Sequence, residues 1–319
     1  MAPMTITTYH VTKDIADTML SNLSVLPRIQ CGDFTLELEL GPLPPEIEEV
    51  ARKELRETPE NKKEGIEKLR ELLKGETDLK CPYHSDTWLV RFLRPCKFHP
   101  ESAHQLVKRY YAFKLKHNVF YDNLLPANEK NVFEQDILTV LPTRDQHKRR
   151  ILVIELGKKW KHTKCSLDEV FKGCVLYLEA ALLENLTQIG GVVVIFDMDG
   201  LSMQQTWQFT PPFAKRIVDW LQDSIPCRVK NIHIINQPYI FNIVFALFKP
   251  FLREKLKKRI IFHGTDRKSL HSYLTPSCLP KCYGGTMEIP RITGSQWLEL
   301  LNMCEEEYRV INSFGYNKT

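Results

Sequence analysis

A chain of 319 residues, 43% hydrophobic and 26% charged, has the composition of a soluble globular protein with one large domain or a small one beside a larger. No apolar run reaches the ~18 residues of a membrane-crossing helix. The net charge of +5 is uneven: residues 1–80 carry 16 acids against 11 bases, whereas 81–319 carry 33 bases against 23 acids, so an anionic partner would meet the second part.

The first twenty residues lack the basic and apolar blocks of a signal peptide. Nine cysteines, an odd number without regular spacing, favour reduced thiols and a cytoplasmic setting. Residues 1–42 read as a loosely structured arm, in which Phe34, Leu36, Leu38 and Leu40 alternate with polar residues as in a short strand. From Glu46 to Lys74 two amphipathic helices are expected, broken at Thr58-Pro59 and capped by Gly75. Apolar spacing continues through Trp88–Leu93 and Ala103–Phe113, so residues 43–125 form a helical unit. Pro126 to Pro142 reads as a connection.

The texture then changes. Ile151–Leu156, Val192–Phe196, Asn231–Asn236 and Arg259–His263 are strand-like runs. Between the first two, Ser166 and Glu169 form a capping box for a helix expected to reach Leu186. Gly190-Gly191 reads as a turn. Thr210-Pro211 opens another helix, with Phe213, Ile217, Trp220 and Leu221 on one face. Strands alternating with helices argue for an α/β unit with a mostly parallel sheet over 126–290. A helical tail at Gln296–Tyr308 closes the chain in 291–319.

The third and fourth strands bracket an unusual segment. Tyr239–Phe248 is nearly all apolar, with Phe241, Val244, Phe245 and Phe248 at helical spacing. It is a core helix, or one that covers a pocket and meets an interface; it is too short to cross a bilayer. Around it Arg228, Lys230, Lys249, Arg253, Lys255, Lys257, Lys258 and Arg259 face one acid, Glu254. Lys255 and Arg259 are one helical turn apart, and mixed Lys and Arg suit phosphate oxygens. The apolar neighbours argue against nucleic acid.

Chemistry is weakly signalled. There is no G-x-G-x-x-G, P-loop or G-x-S-x-G motif. His233 and His263 sit in or beside strands, Asp197 and Asp199 end another, and these could serve a hydrolase only with a nucleophile the sequence does not supply. Cys81/His84, Cys96/His99 and Cys278/Cys282 do not reproduce the paired spacing of structural zinc. No catalytic residue, metal or cofactor is expected.

Several ordered motifs resemble the CRAL-TRIO lipid-transfer family, in its retinaldehyde-binding and tocopherol-transfer branch. They are Trp88–Arg94 with Lys97-Phe98, Phe196–Gly200, Leu221–Pro226, Ile232–Pro238, Lys249–Leu252, Leu279-Pro280 and Tyr283–Gly285. The resemblance implies a helical N-terminal module and an α/β domain with a mobile helical gate, carrying one small hydrophobic ligand without reacting it. It implies a pocket at Phe171, Cys174, Leu178, Phe196, Phe209, Ile217, Trp220, Leu221, Ile225 and Ile232. Cys174 and Leu178 stand where the tocopherol-type pocket has hydroxyls, so a retinoid or another isoprenoid is also implied. The gate would comprise Tyr239, Phe241, Val244, Phe245, Phe248 and Phe251. Arg94, Arg228, Lys230, Lys255 and Arg259 would bind phosphoinositide headgroups on a membrane visited transiently. A phospholipid or phosphoinositide exchange or presenting protein is the alternative within the family.

Overall fold

The computed structural model describes residues 28–317, so the reading of the first twenty residues lies outside the described residues. The chain enters through a hairpin of β1 (Arg28–Cys31) and β2 (Phe34–Glu37). Gly32 takes φ +63 in its turn, a conformation open to glycine without strain. The expected alternation continues past β2: Leu36, Leu38 and Leu40 are buried while Glu37 and Glu39 face out.

The helical module comprises Pro45–Leu55, Pro59–Lys74, Asp86–Leu93 and Pro100–Lys116. The Thr58-Pro59 break is a helix start, where Thr58 Oγ1 accepts the Asn61 N–H at 3.2 Å. Gly75 caps the second helix in a right-handed conformation, φ −74, and not in the left-handed form that favours glycine. Leu69, Leu73, Leu89, Phe92, Leu93, Val107 and Tyr111 close the module's own core. Each such side chain contributes about 1.5–3 kcal/mol by leaving water. β3 (Leu79–Lys80) receives a strand from the chain's far end.

The α/β unit is a five-stranded sheet. β4 (Leu138–Val140) lies antiparallel to β5 (Arg150–Glu155), and β6 (Val192–Asp197), β7 (Val229–Ile235) and β8 (Ile260–Gly264) follow in parallel. β4 falls in the stretch read as a connection; three residues are too few to show a period. The first crossover helix, Leu167–Ala181, carries the full Ser166/Glu169 capping box but ends before Leu186. A separate helix, Asn185–Gly190, takes its place. Gly191 has φ +91, and a Cβ there would lie 2.3 Å from the Arg228 carbonyl oxygen. The tail is also two helices, Gly294–Asn302 and Glu305–Asn312, before β9 (Gly315–Tyr316) pairs with β3.

The two sheet faces differ. Val193, Ile195 and Ile235 point into a close-packed layer with Leu270, Leu274, Leu279 and Tyr283. Their neighbours Val194, Phe196, Ile232 and Ile234 point the other way, into a hollow.

Candidate functional site

The hollow has a volume of about 210 Å³. One water needs about 10–15 Å³ on this measure, so the space is ligand-sized. Its walls are the cavity face of β5–β8, the helices Leu167–Ala181 and Pro211–Asp219, and the π-turn Trp220–Ser224. All ten residues expected at a pocket lie on this wall: Phe171, Cys174, Leu178, Phe196, Phe209, Ile217, Trp220, Leu221, Ile225 and Ile232. The Trp220 ring stands edge-on to Phe171 at 5.2 Å. Polar groups on the wall are few. Burial pushes the Cys174 thiol up to about 12, leaving it neutral. Arg150 and Glu184 bind each other, with Arg150 Nη2 2.5 Å from Glu184 Oε1. Apolar contact dominates what such a space can offer a guest.

One wall is the segment from Phe241 to Leu256. Phe241, Val244, Phe245 and Phe248 of the helix Phe241–Phe248 line the cavity, and Leu252 and Leu256 extend that wall. Phe248 meets Phe209 at 6.5 Å and Phe213 at 6.4 Å. Phe245 stands edge-on to Phe262 at 5.0 Å. The helix's other face, Asn242, Ile243 and Ala246, is exposed. Two expected gate residues sit off the wall: Tyr239 is 91% exposed before the helix, and Phe251 lies in the turn after it.

The five expected headgroup residues do not form one set. Arg228, Lys230 and Arg259 gather at the start of β7 and β8. Arg228 donates to the Ile189 carbonyl and to Glu54 Oε2, the latter at 2.5 Å. Lys230 donates to the same Glu54 oxygen at 3.2 Å, and Arg259 to the Val229 carbonyl at 2.5 Å. Lys255 is exposed. It is not one helical turn from Arg259, because the helix Glu254–Lys257 stops two residues earlier. Arg94 is enclosed elsewhere, 3% exposed. Its guanidinium holds Glu57 at 2.8 and 2.9 Å, Asn185 at 2.7 Å and Gln188 at 2.6 Å. The guanidinium is thus spent on Glu57 within the helical module and on Asn185 and Gln188 of the α/β unit, so a headgroup reaches it only after those bonds break.

Residues that sequence reasoning passed over complete both regions. Arg149 and Glu54 join the basic cluster: Glu54 bridges Arg228 and Lys230, which hold its carboxyl below the usual range against the opposing effect of burial. Leu38, Val140, Met198 and Trp297 line the cavity. Met203 and Trp207 are 44% and 70% exposed, on a short helix and its cap that pack against Phe241–Phe248. A lone tryptophan in the polar run Gln204–Gln208 was their available signal.

His233 and His263 lie on the sheet face away from the cavity. Their Nδ1 and Nε2 atoms are 2.9 Å apart, and Ser269 Oγ lies 2.7 Å from His263 Nδ1. Asp197 accepts from Asn236 Nδ2 at 2.8 Å and from the Asp199 N–H at 3.0 Å, fixing the turns after β6 and β7. All nine cysteines are free, and burial lifts the Cys81 and Cys96 thiols to about 12 and 11. No group of three or more metal-binding side chains gathers among the described residues. Among them, too, no helix is long and apolar enough to cross a membrane.

Residues 134–285 match the CRAL/TRIO domain model. Over 258 residues the chain is 35% identical to an alpha-tocopherol transfer protein-like protein of Mus musculus, covering 81% of this chain and 74% of that one. It is 31% identical over 274 residues to clavesin-1 of Rattus norvegicus, covering 83% and 77%. The crystal structure of Sfh5 superposes with a TM-score of 0.50 at 16% identity, over 79% of this chain and 95% of that one, a likeness of fold. With this sheet order and this extent of identity, the chain belongs to the CRAL/TRIO family of lipid-binding and transfer proteins.

Proposed function

We propose that the protein carries one small hydrophobic molecule, tocopherol-, retinoid- or isoprenoid-like, and transfers it between membranes. The observation that carries this reading is the apolar cavity whose wall is completed by a segment strung between β7 and β8. Cargo is shielded by contact, at about 25 cal/mol per Å² of apolar surface withdrawn from water. The helix Phe241–Phe248 is the gate. Its inner face meets cargo, and its outer face, with Tyr239, Met203 and Trp207, meets the interface of a bilayer.

Arg228, Lys230, Arg259 and Lys255 recruit a phosphoinositide-containing cytoplasmic membrane, at about 1 kcal/mol per cation near the surface. Arg228 and Lys230 lead straight into β7, and Lys255 and Arg259 connect the gate to β8. A headgroup that prefers the open arrangement therefore draws the gate open by differential affinity. The reading does not assign catalysis to His233 or His263.

Mass spectrometry of lipids extracted from gently purified protein tests the carrier reading. One hydrophobic species near one per chain is expected. A chain that emerges empty, and takes up neither α-tocopherol, retinal nor a prenol from vesicles, overturns it.

A further inference from the structure

The cavity wall has a contributor from outside the α/β unit. Leu38, just past β2, is 6% exposed and lines the cavity with Arg150, Val192 and Val229, which begin β5, β6 and β7. The opposite extreme is lined by Leu156 and Met198, beyond the ends of β5 and β6. Leu38 thus stops the cavity at the N-terminal ends of the strands. It also lies outside the matched family residues 134–285.

This stop is anchored. The Glu39 N–H donates to Glu184 Oε1 at 2.9 Å. The Glu39 carboxylate accepts from Arg144 at 2.6 Å and lies 3.1 Å from Arg150 Nη2. Arg144, Arg150 and Glu184 are themselves 6%, 7% and 1% exposed and mutually paired. A cargo chain too long by a few carbons cannot push Leu38 aside without pulling Glu39 off the buried Arg144, Arg150 and Glu184. Among the described residues no ion pair clamps the gate helix on its inner face, where Phe241, Phe245 and Phe248 make ring contacts and Val244 packs.

We propose that Leu38 is a length gauge, the residue that sets how long a hydrophobic chain the cavity accepts. The inference rests on the carrier reading above. One or two methylenes at a fixed apolar stop discriminate by about 10- to 200-fold, and this stop is fixed.

The test titrates a graded series of all-trans prenols into wild type, Leu38→Ala and Leu38→Phe. The readout is the change in tryptophan emission, since Trp220 and Trp297 both line the cavity and their surroundings change when it fills. Leu38→Ala should move the preferred length upward, with about tenfold tighter binding of the next longer prenol. Leu38→Phe should move it downward by a similar factor. Opposite shifts cannot come from general loosening of the fold, which would weaken the whole series in both variants. Such uniform weakening, or an unmoved preference in variants that still bind, overturns the gauge and leaves the carrier standing. Wild type that binds no prenol, and no α-tocopherol or retinal in the same assay, overturns the carrier and the gauge with it.

Discussion

Two of this chain's arginine and carboxylate clusters are built on opposite principles. At the closed end of the cavity Arg144 and Arg150 share Glu184 and Glu39, two cations against two anions, all out of water but Glu39, which is 40% exposed. Burial pushes the Glu184 carboxyl up, yet Arg150 and Arg144 outweigh it and hold it at about 2. At the start of β7 and β8 the cations Arg228, Lys230 and Arg259 outnumber Glu54, which is 49% exposed, and exposed Lys255 stands on the helix before β8. Matched charge is committed to structure. Surplus charge at a water-facing rim remains available for an anion from outside.

The largest effect expected from breaking this contrast is at Glu184. Glu184→Gln leaves two buried guanidiniums to Glu39 alone and should cost about 3–5 kcal/mol of unfolding free energy in a urea titration. The sign with pH follows from the depressed carboxyl. Its stabilisation is full above the unfolded value near ~4.3 and is lost as pH falls toward about 2, so acid should hurt wild type more than the variant. A loss below about 1 kcal/mol would show the cluster to be ornamental.

The surplus cluster should respond in the other currency. Lys255→Glu with Arg259→Glu should lower affinity for phosphoinositide vesicles at least about thirtyfold, from the loss and reversal of two charges. Unfolding should change by only about 1 kcal/mol, the worth of the Arg259 bond to the Val229 carbonyl. Retained prenol binding would separate docking from cargo. Vesicle binding equal to wild type sinks the cleft.

What the sequence displayed and what it concealed divide along the same line. Periodicity and caps marked most helices and four of the five sheet strands, because Thr58, Ser166 and Thr210 each cap a helix through contacts within four residues. Ten positions that line the cavity came from the family resemblance alone, since no periodicity distinguishes a cavity face from a packed one. Long-range partners left no local trace. Arg94 reads as a surface cation until Glu57, Asn185 and Gln188 are folded around it. The Leu36–Leu38–Leu40 alternation shows a buried edge but not the cavity it faces. β4 and β9 are too short to carry a period, and only their partners define them.

A buried group outside both clusters sharpens the rule by lacking a counter-charge. Burial, then His263 and Arg149, depress His233 to about 3, and its Nε2 has no partner among the described residues. The folded chain therefore refuses a proton that the unfolded chain accepts below ~6.5. Stability should fall as pH drops from ~6.5, by about 2 kcal/mol at pH ~5 from this group. Denaturant titrations at neutral and mildly acid pH should show that loss in wild type and a smaller one in His233→Asn. Identical pH slopes would mean that His233 is protonated in the fold, against its setting.

The smallest effect falls on Glu54, the carboxylate that bridges Arg228 and Lys230 at 2.5 and 3.2 Å. A phosphate approaching those cations must compete with it, because an N–H that points at Glu54 cannot also point at a phosphate oxygen. Glu54→Gln removes the competing charge while the helix Pro45–Leu55 stays packed through Ile47, Ala51 and Leu55. Affinity for phosphoinositide vesicles should rise about fivefold, the worth of roughly one charge at a surface. The salt dependence should steepen as well, since Arg228 and Lys230 then meet the membrane without an internal counterion. Should the variant bind more weakly, Glu54 is holding the two cations in register for the headgroup and not occupying its place. The surplus cluster would then be preorganised in the manner of the buried one.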